Sequence, residues 1–302
     1  MQALIAAPDT EDGIRLVEVS EPVPQPSQVL IEVRHASVNF GEVRYLGFQP
    51  AGSVLGYDAA GYVVQTAADG SGPAVGERVV AFGAGAWAQR AAFATDSVAV
   101  VPERLELAKA AALPLVGITA LRTLRAAGSV LGRRVLVTGA SGGVGRLAVQ
   151  FARLGGAYVI ASVGSAHRGE GLDALGAHEV VVGLDRISEP VDVVLENVGG
   201  EHLVTAWGLL KPGGSLQSIG WASGEPAVFP PNSIFAHGSA KTLQSFGDAS
   251  HPRPELTTLV DLAARGVISV QVGWQDSWKR VGDAIAALLG RQVPGKAVID
   301  LD

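Results

Sequence analysis

The sequence predicts a two-domain α/β protein, in which an antiparallel β-rich domain is combined with a doubly wound parallel sheet, and three observations carry that prediction. The chain has 302 residues, 48% of them apolar, which is more than one typical domain needs to bury a core. Its first hundred residues alternate strand-like runs with Gly/Pro punctuation, whereas from about Leu113 short apolar runs alternate with helical stretches. Finally, TGASGGVG (Thr138 to Gly145) stands where a strand pattern turns into a helix pattern, the position at which a glycine-rich turn can cradle a pyrophosphate.

In the first part, QVLIEVRHASV, GYDAAGYVV, GERVVAFG, WAQRAAFA and SVAVVP read as antiparallel strands. In the second, RRVLVTG, AYVIASV, EVVVGL, VDVVLENV and GSLQSIG are short apolar runs that fit parallel strands buried on both faces, with KTLQSFG as a sixth. After the first of these, GRLAVQFARLG places Leu147, Ala148, Phe151 and Leu154 on one helical face. DASHPRP, Asp248 to Pro254, reads as a crossover between domains. PELTTLVDLAARG and SWKRVGDAIAALLGR then follow as helices, and KAVIDL as a closing strand. The expected domains are 1–111 with 249–302, and 112–248.

Composition removes several function classes. A net charge of -6 and the absence of any basic run of five or more argue against nucleic acid as a partner. The start, MQALIAAPDTEDG, lacks a cationic region ahead of its short apolar stretch, and no window of about 18 apolar residues follows, so the expectation is a soluble cytoplasmic protein without a membrane partner. With no cysteine there is no disulfide, no thiolate nucleophile and no cysteine-based zinc site. His35, His167, His178, His202, His237 and His251 are scattered without H-x-x-x-H spacing, and no metal site is expected.

The glycine loop satisfies two patterns. As T-G-x-x-x-G-x-G it resembles the cofactor loop of short-chain dehydrogenases, and as A-x-G-x-x-G that of the medium-chain dehydrogenase/reductase superfamily. Short-chain enzymes begin with this loop and carry a Tyr-x-x-x-Lys pair. Here the loop lies mid-chain, and Tyr45, Tyr57, Tyr62 and Tyr158 are followed four residues later by Gln49, Gly61, Thr66 and Ser162. HASVNFGEV, LGYDAAGYV, VGERVVAFGAGAWAQ, AAALPLVGITAL, VLENVGG, LKPGGSLQSIG and PGKAVID resemble, in order, landmarks of zinc-independent quinone oxidoreductases and of the enoyl reductases of polyketide synthases. The resemblance implies a GroES-like catalytic domain built from both chain ends, a Rossmann NADP-binding domain between them, and a homodimer formed through the Rossmann sheet edge. Zinc members place a cysteine near position 39 and a histidine in Gly-His-Glu. Here that motif is Gly56-Tyr57-Asp58, and Phe82-Gly83-Ala84-Gly85 runs straight into Ala86-Trp87-Ala88 where zinc members insert a cysteine-rich lobe.

NAD-specific sites usually place a carboxylate about 20 positions on from the loop. This sequence offers Ser162, Ser165 and Arg168 instead, with the first carboxylate at Glu170, and a guanidinium pairs bidentately with a 2′-phosphate, so NADPH is favoured. A tyrosine that some quinone oxidoreductases present after the third strand would fall near Gly183. The resemblance extends the cofactor contacts to Asn39, Thr119, Ala140, Ser141, Gly142, Gly143, Val144, Asn197, Val198, Ile219, Gly220 and Phe246.

Two residues are candidates for catalysis. Asn39 matches the asparagine that lies near the nicotinamide and its ribose in this family, where an amide donates and accepts without titrating. Tyr45 falls close to the proton-donating tyrosine of some enoyl reductases, and packing on a cleft wall is its alternative role. Trp221 occupies the place where polyketide enoyl reductases often carry a lysine. It cannot deliver a proton and suits an apolar wall, leaving Tyr45, Lys241 or water as donor, or none for a quinone. Hydride addition to a conjugated carbonyl needs only hydrogen-bond donors for the developing oxyanion, whereas alcohol oxidation lacks its usual metal. The function expected is therefore reduction of a quinone or α,β-unsaturated carbonyl by NADPH. A discrete enoyl reductase of polyketide or secondary metabolism, and an NADPH-binding protein without turnover, are the alternatives.

Overall fold

The architecture comes from a computed structural model of the chain, which describes residues 1–235 and 238–301. In chain order the first elements are β1 (Gln2–Ala6), β2 (Ile14–Glu18), β3 (Gln28–Val38), α1 (Phe40–Arg44), β4 (Asp58–Gln65), β5 (Arg78–Phe82), β6 (Arg90–Ala94), β7 (Val98–Val100), α2 (Leu107–Ala111) and α3 (Pro114–Ala126). Next come β8 (Arg134–Val137), α4 (Gly143–Leu154), β9 (Tyr158–Val163), β10 (Glu179–Val182), β11 (Val191–Glu196), α5 (Gly200–Gly208), β12 (Leu210–Ser218) and β13 (Thr242–Ser245). The chain closes with α6 (Arg253–Ala264), β14 (Val272–Ser277), α7 (Val281–Leu289) and β15 (Lys296–Asp300). Two compact units result, Met1–Ile118 with Ala249–Asp302, and Thr119–Asp248. The division falls inside α3 rather than after Ala111, because that helix runs continuously through it.

In the first unit, β1 and β2 pair with each other, and seven further strands form a sheet of order β14-β15-β3-β4-β5-β7, with β6 also on β3. The eleven-residue β3 carries partners along both sides, antiparallel to β15, β4 and β6. Such a strand must be apolar along most of its length, as QVLIEVRHASV is. Its side chains meet Val63, Val79, Trp87, Phe93, Trp278 and Ile299 in one core.

In the second unit all six strands are parallel, in the order β10-β9-β8-β11-β12-β13. The order reverses beside β8, and that is where doubly wound sheets open a crevice at the strand C-termini. The central runs Val135–Val137, Val159–Ala161 and Val193–Leu195 are fully buried, as both-face coverage requires. EVVVGL departs from the expectation of a buried strand, since Val180 and Val182 of β10 are exposed. With a single neighbour, this strand has one face open. Along α4, Leu147, Ala148 and Phe151 are buried as their spacing predicts, but Leu154 is 55% exposed because the helix ends on it, with Gly155 as its C-cap.

Other differences are local. Arg253 and Pro254, expected in the crossover, already belong to α6, where proline fits the first helical turn. Of the stretch SWKRVGDAIAALLGR, Ser277 ends β14, and the α-helix begins only at Val281 after a short 3₁₀ turn. Among the described residues no helix is long and apolar enough to cross a membrane.

Candidate functional site

The glycine loop leaves β8 through Gly139, whose φ of +58° lies in the left-handed region that a glycine adopts without strain. The Ala140 N–H donates to the Ser162 carbonyl at 3.0 Å and so ties the loop to β9, while the Gly142 N–H closes a turn on the Gly139 carbonyl at 3.1 Å. Helix α4 then starts so close to the loop that a Cβ on Gly145 would lie 2.5 Å from the Gly139 oxygen and 2.6 Å from the Ala140 Cα. The first-turn N–H groups of Gly143, Val144 and Gly145 have no intrahelical acceptor. Beside them the Ser141 Oγ is buried without a hydrogen-bond partner. Unpaired donors at a positive helix end form a cradle chemically suited to a pyrophosphate.

A second loop is held from below by Glu196, the fully buried last residue of β11. Its carboxylate accepts from the Thr138 hydroxyl (3.0 Å) and from the N–H groups of Val198 (2.9 Å) and Gly199 (2.8 Å). Asn197 is turned onto β8, with its N–H on Thr138 Oγ1 and its Nδ2 on the Thr138 carbonyl, both at 2.9 Å. The Ile219 N–H donates to the Glu196 carbonyl at 2.8 Å, and Gly220 follows against Asn197. Sequence reasoning named Asn197 and Val198 but missed Glu196 as their anchor. The available signal was an acidic residue closing an otherwise apolar strand, where a buried charge must find donors.

At the end of β9 the three residues assigned to the 2′-phosphate separate. The Ser162 hydroxyl donates to the Gly183 carbonyl at 2.9 Å, so its proton is committed to the sheet. Ser165 lies with its Oγ 3.1 Å from His167 Nδ1, and half-buried Arg168 folds back until its Nη1 is 3.2 Å from where a Gly164 Cβ would stand. Thr119 is buried in α3, and the Phe246 N–H donates to the Ser218 carbonyl just past β13. The Trp221 indole covers Gly199 and donates to the Glu225 carbonyl at 2.5 Å. Lys241 donates to the Trp207 carbonyl at 3.0 Å over that residue's own ring, and its burial lowers the ammonium's pKa.

In the first unit, Asn39 caps α1 within a buried polar group. Its Nδ2 donates to Asp58 Oδ2 at 2.8 Å, its Oδ1 accepts from the Lys296 ammonium, and its backbone N–H donates to Glu42 Oε2 at 2.7 Å. Asp58 further accepts from the Ser37 hydroxyl (2.7 Å) and the Leu115 N–H (3.0 Å), with the Lys296 Nζ at 3.4 Å. Glu42 Oε1 is buried with no partner, and burial, with the Asp58 charge adding to it, pushes the Glu42 pKa up to about 8. Tyr45 is 49% exposed with its ring 6.3 Å from that of Phe48. Tyr57 rests against Phe82, with ring centroids 6.0 Å apart. Among the described residues no group of three or more His, Asp or Glu side chains is placed to hold a metal ion; His237 lies outside them.

Two family descriptions match this chain in chain order, the alcohol dehydrogenase GroES-like domain over residues 25–103 and the zinc-binding dehydrogenase domain over residues 143–265. The chain belongs to the medium-chain dehydrogenase/reductase superfamily. Its two sheets are the GroES-like and Rossmann-like sheets of that oxidoreductase superfamily. A quinone oxidoreductase from Coxiella burnetii is 25% identical, with a TM-score of 0.85 covering 100% of this chain and 99% of the other. A mycobacterial protein solved in complex with NADPH is 26% identical, with a TM-score of 0.89 covering 99% and 100%. A phenolphthiocerol/phthiocerol polyketide synthase of Mycobacterium tuberculosis is 34% identical over 232 residues, 72% of this medium-chain reductase but 11% of the synthase. The chain thus matches about a tenth of that relative's length.

Proposed function

We propose that this chain is an NADPH-dependent, zinc-free reductase of quinones or α,β-unsaturated carbonyls, with residues 1–111 and 249–302 as its catalytic domain and 112–248 as its cofactor domain. The observation that carries the reading is the glycine cradle with its orphaned Ser141 hydroxyl, followed at the end of β9 by a guanidinium where an NAD enzyme would place a carboxylate. The NADPH-bound mycobacterial structure and the Coxiella burnetii quinone oxidoreductase support it. The polyketide synthase relative supports the second reading, a discrete enoyl reductase.

When bound, NADPH supplies a hydride to the acceptor. The N–H groups of Gly143 and Val144, with Ser141, would hold its pyrophosphate, Arg168 and Ser165 its 2′-phosphate, and the loop of Asn197 and Val198 with Ile219, Gly220, Thr119 and Phe246 the remainder. Asn39 has already spent one N–H on Asp58 and one lone pair on Lys296, which leaves one of each for the nicotinamide ribose. The zinc-free reading rests on the donor set. No cysteine is available, Tyr57 stands where zinc members carry histidine, and the cation beside Asp58 is the Lys296 ammonium. Dimerisation is proposed through β13, a one-sided edge strand with exposed Leu243, and a monomer in sedimentation velocity would remove it.

NADPH is expected to bind at least about tenfold more tightly than NADH, or roughly 1.4 kcal/mol, which one charge-assisted phosphate contact supplies. Because the Ser162 proton is held by Gly183, Arg168→Ala should remove most of that preference through weaker NADPH binding. Fluorescence titration of both cofactors decides it, and equal affinities in the wild type would sink the assignment. Steady NADPH consumption over a panel of quinones and enones tests the function as a whole. Tight binding with no turnover on any acceptor would leave a cofactor-binding protein.

Tyr45 is exposed enough to meet an acceptor. If it protonates the enone product, Tyr45→Phe should lower enone turnover by roughly 10²-fold, while a quinone, whose reduced oxygen collects its proton from water, is affected far less. Equal losses on both acceptors would make Tyr45 a positioning residue, and no loss on either would make it wall packing beside Phe48.

A further inference from the structure

We propose that Lys296 and Glu42 are positioning residues that lock Asn39 in one orientation, Lys296 acting on its side-chain amide and Glu42 on its backbone N–H. The inference rests on the reading of Asn39 as the residue that orients the nicotinamide ribose. The geometry begins with the sheet. Ala297 pairs with Val38, and Ser37 pairs with Asp58, so the first residue of β15, the residue just past β3 and the first residue of β4 lie in a row across three strands. Asn39 therefore stands between a lysine and a carboxylate, and all three side chains are buried.

That placement decides which way the amide faces. A carboxylate accepts only and an ammonium donates only, so Asp58 requires the Nδ2 edge and Lys296 requires the Oδ1 edge. Turning the amide over would set NH₂ against the ammonium and C=O against the carboxylate, replacing two charge-assisted hydrogen bonds by two repulsions in a buried place. The free N–H and free lone pair that Asn39 presents are thus fixed by a residue 257 positions away in the chain.

Glu42 adds the second arm and the limit on the device. Asp58 and Lys296 compensate each other's charge. An ionised Glu42 would leave the buried group with a net negative charge and only the Asn39 N–H to stabilise it. Its raised pKa follows from burial first and Asp58 second, with Lys296 opposing both. No other packed element brings a competing charge. On α7, Asp283 pairs with Arg280 at the surface, and the Arg291 guanidinium beyond that helix lies 3.9 Å over the Phe40 ring. Below about pH 8 the group is neutral overall and Asn39 is held on both arms. Above that, the new carboxylate competes with Asp58 for Lys296, and the amide loses its fixed side.

The experiment uses the full chain, with carbon-13 carboxyl resonances of glutamate and the side-chain amide resonance of Asn39 followed against pH. In the wild type both should report one titration near pH 8. In Lys296→Met the Glu42 midpoint should move to higher pH, since the cation that favours its ionised form is gone. Should Lys296→Met not fold, Glu42→Gln decides: its Asn39 resonance should stay constant where the wild type moves. A Glu42 midpoint near the ordinary 4.5, or an Asn39 resonance that titrates alike in wild type and Glu42→Gln, overturns the proposal. In turnover, the wild-type kcat should fall above pH 8 and the Glu42→Gln profile should lack that fall. Lys296→Met should lose about tenfold or more in kcat with a smaller change in the acceptor KM, as a misplaced cofactor requires. If the wild type reduces no acceptor, the functional reading fails, and the resonances still decide whether the clamp exists.

Discussion

Replacing Gly145 by alanine is expected to weaken NADPH binding by about a hundredfold, the largest loss that a single methyl group can cause in this chain. The added Cβ would sit 2.5 Å from the Gly139 oxygen and 2.6 and 2.8 Å from the Cα and carbonyl carbon of Ala140. Carbon is in good contact at about 3.5–4.0 Å, and here the obstacles are backbone atoms that no rotamer change can move. Helix α4 must therefore shift from the loop by the better part of an ångström, carrying its first-turn N–H groups with it. Charge-assisted hydrogen bonds are worth roughly 1.5–3 kcal/mol each, so losing the geometry of one or two costs about 3 kcal/mol, or two decades in Kd. Buried Leu147, Ala148 and Phe151 are on the same helix, so thermal stability should fall as well. Gly142→Ala is the contrast, because its Cβ would be 3.6 Å from the Gly139 oxygen, an ordinary contact, and the fold should be nearly as stable as the wild type. A Gly145→Ala protein that binds NADPH within about threefold of wild type would show that the loop is not held by this close approach.

What the sequence discloses depends on how local the cause is. The nucleotide loop was legible because its strand, its glycines and its helix are consecutive, and the same is true of the central strands, whose unbroken apolar runs state that both faces are covered. Edge strands are less legible. EVVVGL is as apolar as its neighbours, yet nothing in a run of valines says how many strands flank it, so the exposure of Val180 and Val182 was hidden. Helices α1, α2 and α5 are five, five and nine residues long, too short for a periodic pattern to stand out. Long-range polar partners were the least accessible. Asn39 was singled out for its own chemistry, but Lys296 reaches it only because β15 returns from the chain end to lie beside β3. Ser162 illustrates the converse, since its position marks it for the cofactor while its proton is spent on Gly183 across the sheet.

Glu196→Ala is expected to destabilise the protein by roughly 3–5 kcal/mol, because it removes one acceptor group and leaves three donors behind. The N–H groups of Val198 and Gly199 belong to a loop whose backbone is fixed, so neither can turn to a new partner. The Thr138 hydroxyl can rotate, but it also accepts the Asn197 N–H and is held in place by it. A buried donor without an acceptor costs about 1–3 kcal/mol, and two such N–H groups with a partly stranded hydroxyl give the stated range. Glu196→Gln separates charge from connectivity. Its amide oxygen can replace Oε1 toward Thr138 and Val198, but its NH₂ then faces the Gly199 N–H that Oε2 had accepted, so a loss of about 1–2 kcal/mol is expected. Asn197, Val198 and Gly220 ride on this anchor, and NADPH affinity should follow the same order, wild type above glutamine above alanine. Chemical denaturation alongside cofactor titration measures both quantities. An alanine variant within about 1 kcal/mol of wild type, or one that unfolds early yet binds NADPH normally, would separate the loop from the carboxylate beneath it.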